Sequence, residues 1–170
     1  MGIFFATRVL SAAPTVTGVN VNDNLLTDAD LGAGRFVATI DFIEAMNSSV
    51  AATIAFSPAV GSTLTGCVGA WQDSDTFNYT CTVADGNVEL TNVDIQISGA
   101  QNLAQETMAP DLVTGADKFS VDTVQPTVTL VTVNDNMLTE INVGVDAFFA
   151  TIDFSEAMNS TAPTITFSPA

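Results

Sequence analysis

One stretch of this chain is written twice, and that repeat restricts the fold more than any other feature. PTVTGVNVNDNLLT begins at Pro14 and PTVTLVTVNDNMLT at Pro126, a period of 112 residues. Residues 14–49 aligned with residues 126–161 share 23 identities in 36 positions. After a one-residue slip, TIAFSPA at residues 53–59 matches TITFSPA at residues 164–170. The fold must therefore close within about 110 residues and recur end to end. The organisation expected is an N-terminal strand or linker over residues 1–13, one unit over residues 14–125, and the first strands of a second unit over residues 126–170.

A unit of this size suits a β-sandwich. Phe36, Ala38, Ile40 and Phe42 alternate with Arg35, Val37, Thr39 and Asp41, and Phe148, Ala150, Ile152 and Phe154 repeat the pattern. Period-two alternation puts one such set on the core face of a strand. The preceding strand changes parity, with Val16 on one side and Val19 and Val21 on the other. Val128, Val131 and Val133 change in the same way, which predicts a bulge or a switch of sheet near Gly18 and Leu130. Further strands are expected over residues 51–57, 62–72, 76–84, 92–98 and 118–122, and one helical turn over residues 103–108. Seven short strands between Asn, Asp, Gly and Ser turns give an all-β, immunoglobulin-like sandwich in tandem, its second copy incomplete.

Composition narrows function. Three Lys and Arg against 19 Asp and Glu give a net charge of -16. A chain so poor in cations cannot neutralise phosphates, which excludes nucleic acid as a partner and a polybasic membrane dock. Histidine is absent, and with it go the usual zinc ligand and the general base of Ser-His-Asp or Cys-His chemistry. Hydrophobic residues at 47% against 13% charged ones supply a core rather than disorder. No apolar run reaches the ~18–20 residues that span a bilayer, so membrane insertion is not expected. Residues 1–13 lack the charged start of a signal peptide. An acidic, Lys-poor, Thr-rich composition fits an extracellular, secreted or cell-surface setting.

PTVT, VNDN, TIDFSEAMN and TFSPA together resemble the bacterial Ig-like repeat domains of large secreted adhesins, biofilm proteins and filament proteins. The phrase F-S-E-A-M-N is intact at residues 154–159, and residues 42–47 depart from it only at Ile43. An Asp-Thr-x-x-Pro junction is present from Asp122 to Pro126. The resemblance implies tandem modules working as stalks, some stiffened by Ca2+ in loops and at junctions.

Asp23, Asn24, Asp28 and Asp30 place hard oxygen ligands between the first two strands, and Asp135 recurs in the second copy. Ca2+ takes six to eight such oxygens; the alternative role is turn formation. Asp122 offers a second location, at the junction. Glu44 and Glu156 beside Asp41 and Asp153 could be paired for glycoside hydrolysis, but duplication along a stalk favours a structural role and no enzyme. Cys67 and Cys81 face one another if residues 62–72 and 76–84 form a hairpin about Ser74, which makes a cross-strand disulfide the expectation. That register also sets Trp71 opposite Phe77 and turns Trp71 and Tyr79 inward, against use as a sugar platform. Sequons stand at Asn47, Asn78 and Asn159; a chain this rich in Asn, Ser and Thr carries some by chance.

The second unit, about three strands long, cannot bury its own apolar face. Either it belongs to a longer array, the expectation adopted, or an identical subunit completes it head to tail with residues 2–10 as a donated strand. The function expected is a structural or adhesive module of a stalk, fibre or filament, joined to neighbouring repeats or identical subunits. The alternative is a carbohydrate-binding accessory module.

Overall fold

A computed structural model describes residues 12–158 and 160–168, so most of the expected strand or linker over residues 1–13, and the donated strand within it, lie outside the described residues. The chain divides into two compact units between Val124 and Gln125. The first holds β1 (Val16–Val21), β2 (Leu25–Thr27), β3 (Gly32–Phe42), β4 (Thr53–Ser57), β5 (Leu64–Trp71), β6 (Thr76–Val83), β7 (Glu89–Ser98) and β8 (Phe119–Asp122). These form two four-stranded sheets, β1-β3-β6-β5 and β2-β8-β7-β4. Every pairing is antiparallel except β2 with β8.

Alternation builds the core. Phe36, Ala38, Ile40 and Phe42 of β3 are buried and the residues between them are half-buried. Phe77 and Cys81 of β6, Ile95 and Ile97 of β7, and Phe119 and Val121 of β8 turn inward in the same way. The Phe36 ring lies 4.8 Å from Phe119 and 6.1 Å from Phe56, which joins the inner faces of the two sheets. The result is a β-sandwich. Each large apolar side chain taken out of water there contributes about 1.5–3 kcal/mol.

The parity change in β1 is a bulge. Val16 pairs with Phe42, the register shifts, and Gly18 pairs with Asp41. That one-residue slip brings both Val16 and Val19 into the core although they stand three apart.

Two local expectations are corrected. The acidic segment over residues 22–30, expected only to connect the first two strands, contains β2 and a 3-10 turn over Asp28–Asp30. Leu26 is fully buried and pairs in parallel with Val121, so the chain passes from one sheet to the other between β1 and β2. The described residues of the first unit therefore form eight strands rather than seven. Residues 103–108 form no helical turn: Asn102 Oδ1 accepts from the backbone N–H groups of Ala104 and Glu106, at 3.1 and 2.9 Å. A side chain that captures these donors holds the segment as a non-helical turn.

The second unit contains β9 (Val128–Val133), a 3-10 turn over Glu140–Asn142 and β10 (Ala150–Phe154). β9 and β10 pair antiparallel with a register shift between Asp153 and Phe154, the counterpart of the bulge opposite Asp41. Residues 164–167 match the start of β4 in sequence but form no strand. β4 is a strand because it pairs with β7, Phe56 opposite Ile95, and no counterpart of β7 stands among the described residues of this unit.

Candidate functional site

Local structure repeats along with the sequence. Asn22 Nδ2 donates to the Arg35 carbonyl at 2.7 Å, and Asn22 Oδ1 accepts from the Val37 N–H at 2.7 Å. Asn134 holds Ala147 and Phe149 in the same way, at 2.9 and 2.8 Å. Thr17 Oγ1 donates to the Asp41 carbonyl at 3.1 Å, and Thr129 Oγ1 to the Asp153 carbonyl at 3.0 Å. One amide side chain thus staples the end of the first strand to β3 in the first unit and to the residues just before β10 in the second, closing the acidic segment between them.

The candidate cation ligands lie in turns. Asp23 Oδ1 accepts from the Leu25 N–H at 3.0 Å, and Asp135 Oδ1 from the Met137 N–H at 3.0 Å. Asp30 Oδ2 accepts from Thr27 N–H and Oγ1, both at 2.9 Å, and closes a capping box on the 3-10 turn that Asp28 opens. Asn24 takes part through its carbonyl, which accepts from Ser120 N–H at 2.9 Å. Asp122 Oδ1 accepts from the Val124 N–H at 3.4 Å. Among the described residues no three acidic or sulfur side chains gather as a metal-binding group. One difference between the copies bears on charge. Asn142 Nδ2 donates to Asp135 Oδ2 at 2.8 Å, whereas the equivalent positions in the first unit are Asp30 and Asp23, both carboxylates.

The second strong motif, Glu44 to Asn47, laces the end of the sandwich. Glu44 Oε1 accepts from the buried Asn102 Nδ2 at 3.3 Å. Met46 is buried, its N–H donates to the Ser74 carbonyl at 2.7 Å, and the Asn47 N–H donates to the Gln101 carbonyl at 2.8 Å. The glutamate thus anchors a loop. Asn102, which also donates to the Ala12 carbonyl at 3.1 Å, was not singled out from sequence. A polar residue in a Gln- and Thr-rich segment gives no sign of burial.

Cys67 and Cys81 are disulfide-bonded across β5 and β6, their Cα atoms 4.1 Å apart. The symmetric register holds from Trp71 opposite Phe77 to Val68 opposite Thr80 and then slips by one, Thr65 opposing Thr82. The bond sits at this bulge. Trp71 packs 5.4 Å from Phe42 and 5.0 Å from Phe77, and its indole N–H donates to the Val50 carbonyl at 3.1 Å. Tyr79 lines a shallow cleft with Ile54, Phe56, Val60, Leu64 and Cys67. Both aromatic residues are half-buried against the core.

Of the sequons, Asn47 Oδ1 accepts from the Ser49 N–H at 3.1 Å. Asn78 uses both ends of its amide, donating to Gln72 Oε1 at 2.8 Å and accepting from Thr39 Oγ1 at 3.0 Å. Asn159 lies outside the described residues.

At the β5–β6 turn, the backbone N–H of Asp75 holds the Asp73 carboxyl below its ordinary value, with Thr76 adding to the effect. The hydrogen bond shared with Asp73 pushes Asp75 the other way.

The second unit presents the residues that are core in the first. Val19 is 4% exposed and its counterpart Val131 57%, while Leu26 is 0% and Leu138 59%. Phe148, Ile152 and Phe154 are half-buried. No helix among the described residues is long and apolar enough to cross a membrane. Comparison with protein-family models, curated proteins and solved structures finds no match for this chain.

Proposed function

We propose that the chain is a tandem immunoglobulin-like module of an extracellular stalk, fibre or filament, structural or adhesive in role and similar to the bacterial Ig-like repeat domains. The observation that carries this reading is the recurrence, at a spacing of 112 residues, of strand, bulge, asparagine staple and 3-10 turn. A chain that duplicates a scaffold in this detail serves by length and linkage rather than by a single reactive centre. The strand order supports the immunoglobulin-like part. β1-β3-β6-β5 facing β2-β8-β7-β4 corresponds to an ABED sheet against a CFG sheet, with the first strand divided between the two.

The disulfide between β5 and β6 supports an oxidising, extracellular location. The packing of Trp71 and Tyr79 against the core weighs against a carbohydrate platform. Glu44 spent on Asn102 supports a role without catalysis. Ca2+ enters the proposal at Asp23 and Asp30, with Asp28 beside them. Where the second unit pairs the Asp135 carboxylate with the Asn142 amide, the first has carboxylates at both equivalent positions, Asp23 and Asp30, and hard oxygen ligands of this kind suit Ca2+. Neighbouring repeats or identical subunits are the partners, head to tail.

Electron microscopy of the native material, with and without a calcium chelator, tests the reading. Extended particles with a repeating module along their axis support it, and loss of stiffness on chelation supports Ca2+. Compact single particles overturn it.

A further inference from the structure

Asn47, Ser48 and Ser49 form a turn between β3 and β4. The Asn47 N–H donates to the Gln101 carbonyl at 2.8 Å, and the Val50 carbonyl accepts from the Trp71 indole at 3.1 Å. The backbone is pinned on both sides of the turn, and Ser48 and Ser49 stand exposed at its tip. Asn47 Oδ1 accepts from the Ser49 N–H, whereas Nδ2 has no hydrogen-bond partner among the described residues. Asn78 is the opposite case. It lies in β6, between β3 and β5, and its Nδ2 is engaged by Gln72 while its Oδ1 is engaged by Thr39. A sugar on that nitrogen displaces the Gln72 contact and stands on an inner strand of the sheet. The repeat separates the two sequons as well. Residues 41–49 and 153–161 differ only at Ile43, replaced by Ser155, and at Ser49, replaced by Thr161. The second change is the one exchange that an Asn-x-Ser/Thr acceptor allows, because its third residue needs only a hydroxyl.

We propose that Asn47 is a glycan-acceptor site and that Asn78, which has the same motif, is not. The donor is an oligosaccharide carried on a lipid phosphate, supplied with its transferase by the secretory machinery. Asn47 Nδ2 attacks the anomeric carbon of the sugar, and a carbon–nitrogen bond forms. The bond from that carbon to the phosphate oxygen breaks, and the lipid phosphate leaves with the electron pair. The proton lost from Nδ2 passes to a base of the transferase. The glycan then extends from an exposed turn without breaking any hydrogen bond of the fold, as a bulky surface modification requires. The inference rests on the extracellular reading, because only an exported chain meets this donor.

Mass spectrometry of peptides from the full chain, as its own host produces it, tests this. A glycan is expected on the peptide that contains Asn47 and none on the peptide that contains Asn78. Ser49→Ala keeps the backbone N–H that Asn47 Oδ1 accepts, so the turn stands, and the glycan is expected to be lost. Ser49→Thr is expected to retain it. An unmodified Asn47, a glycan on Asn78, or a glycan that survives Ser49→Ala each overturns the proposal. The cysteines are read in the same digest. An unmodified Asn47 in a disulfide-bonded chain overturns this inference alone, whereas an unmodified Asn47 with free thiols at Cys67 and Cys81 overturns the extracellular reading with it.

Discussion

Phe148 and Phe167 pack edge to face with ring centroids 6.2 Å apart and planes at 64°, and their counterparts Phe36 and Phe56 lie at 6.1 Å and 70°. In the first unit this contact joins the two sheets and is sealed by Phe119, 5.9 Å from Phe56. In the second unit Phe167 is 70% exposed. The same arrangement is thus a buried core in one unit and an open face in the other.

Twin substitutions separate those environments. Phe36→Ala is expected to cost the first unit about 3–5 kcal/mol, the range for a large buried aromatic residue. Phe148→Ala should leave the main unfolding transition within about 0.5 kcal/mol of the parent, as substitutions outside a packed core do. Urea titration followed by Trp71 fluorescence reads both.

The disulfide closes a short loop, Cys67 and Cys81 being 14 residues apart in sequence. Loop-closure entropy gives such a cross-link about 3 kcal/mol. Cys67→Ser with Cys81→Ser should lower stability by that order, and reduction of the parent should match it in the same titration.

Gly69 stands opposite Tyr79 and diagonal to Phe77 in the β5–β6 pair, and a Cβ built at Gly69 would clash with the edge of the Phe77 ring. Gly69→Ala should therefore displace that ring from the core at about 1–3 kcal/mol, the cost of overpacking. Gly61 has nothing within reach of such an atom, and Gly61→Ala in the same assay serves as the control.

Asp30→Asn copies the second unit into the first. The new amide should keep the Thr27 cap, as Asn142 caps Thr139 at 2.9 Å, and donate to Asp23 as Asn142 does to Asp135. Without Ca2+ the variant should gain about 0.5–1.5 kcal/mol, one net hydrogen bond. Added Ca2+ should raise the melting temperature of the parent and not of the variant. Equal responses would remove the cation from this loop.

Asp111 supplies a pH dependence. Partial burial pushes its carboxyl up, but hydrogen bonds from Thr114 and Val113 outweigh this and hold it below the ordinary 3.8. A depressed folded-state value means stability that is present above 3.8 and lost as pH falls through the lower value. Urea midpoints from pH 5 down to about pH 2.5 should fall further for the parent than for Asp111→Asn. Parallel curves would contradict the assignment.

Strand β3, its alternation and the bulge opposite it were legible because residue parity reports directly which face meets the core. The cysteine pair was legible from hairpin symmetry, even though the register slips beside it. β2 was not. It is three residues long in an Asp- and Asn-rich stretch, and its partner β8 lies more than 90 residues away in parallel. Asn102 was hidden for a related reason: it is buried by what converges on it from Ala12, Glu44 and its own turn. The acidic residues were found as a group, but their individual hydrogen bonds to turn N–H groups depend on backbone geometry that composition does not carry.

Nuclear Overhauser contacts in the intact chain test the central claim most directly. If one fold is encoded twice, Val131 meets Ile152 and the Phe148 ring meets Phe167, alongside Val19 with Ile40 and Phe36 with Phe56. Contacts in the first unit only, or a different strand pairing over residues 126–168, would contradict it.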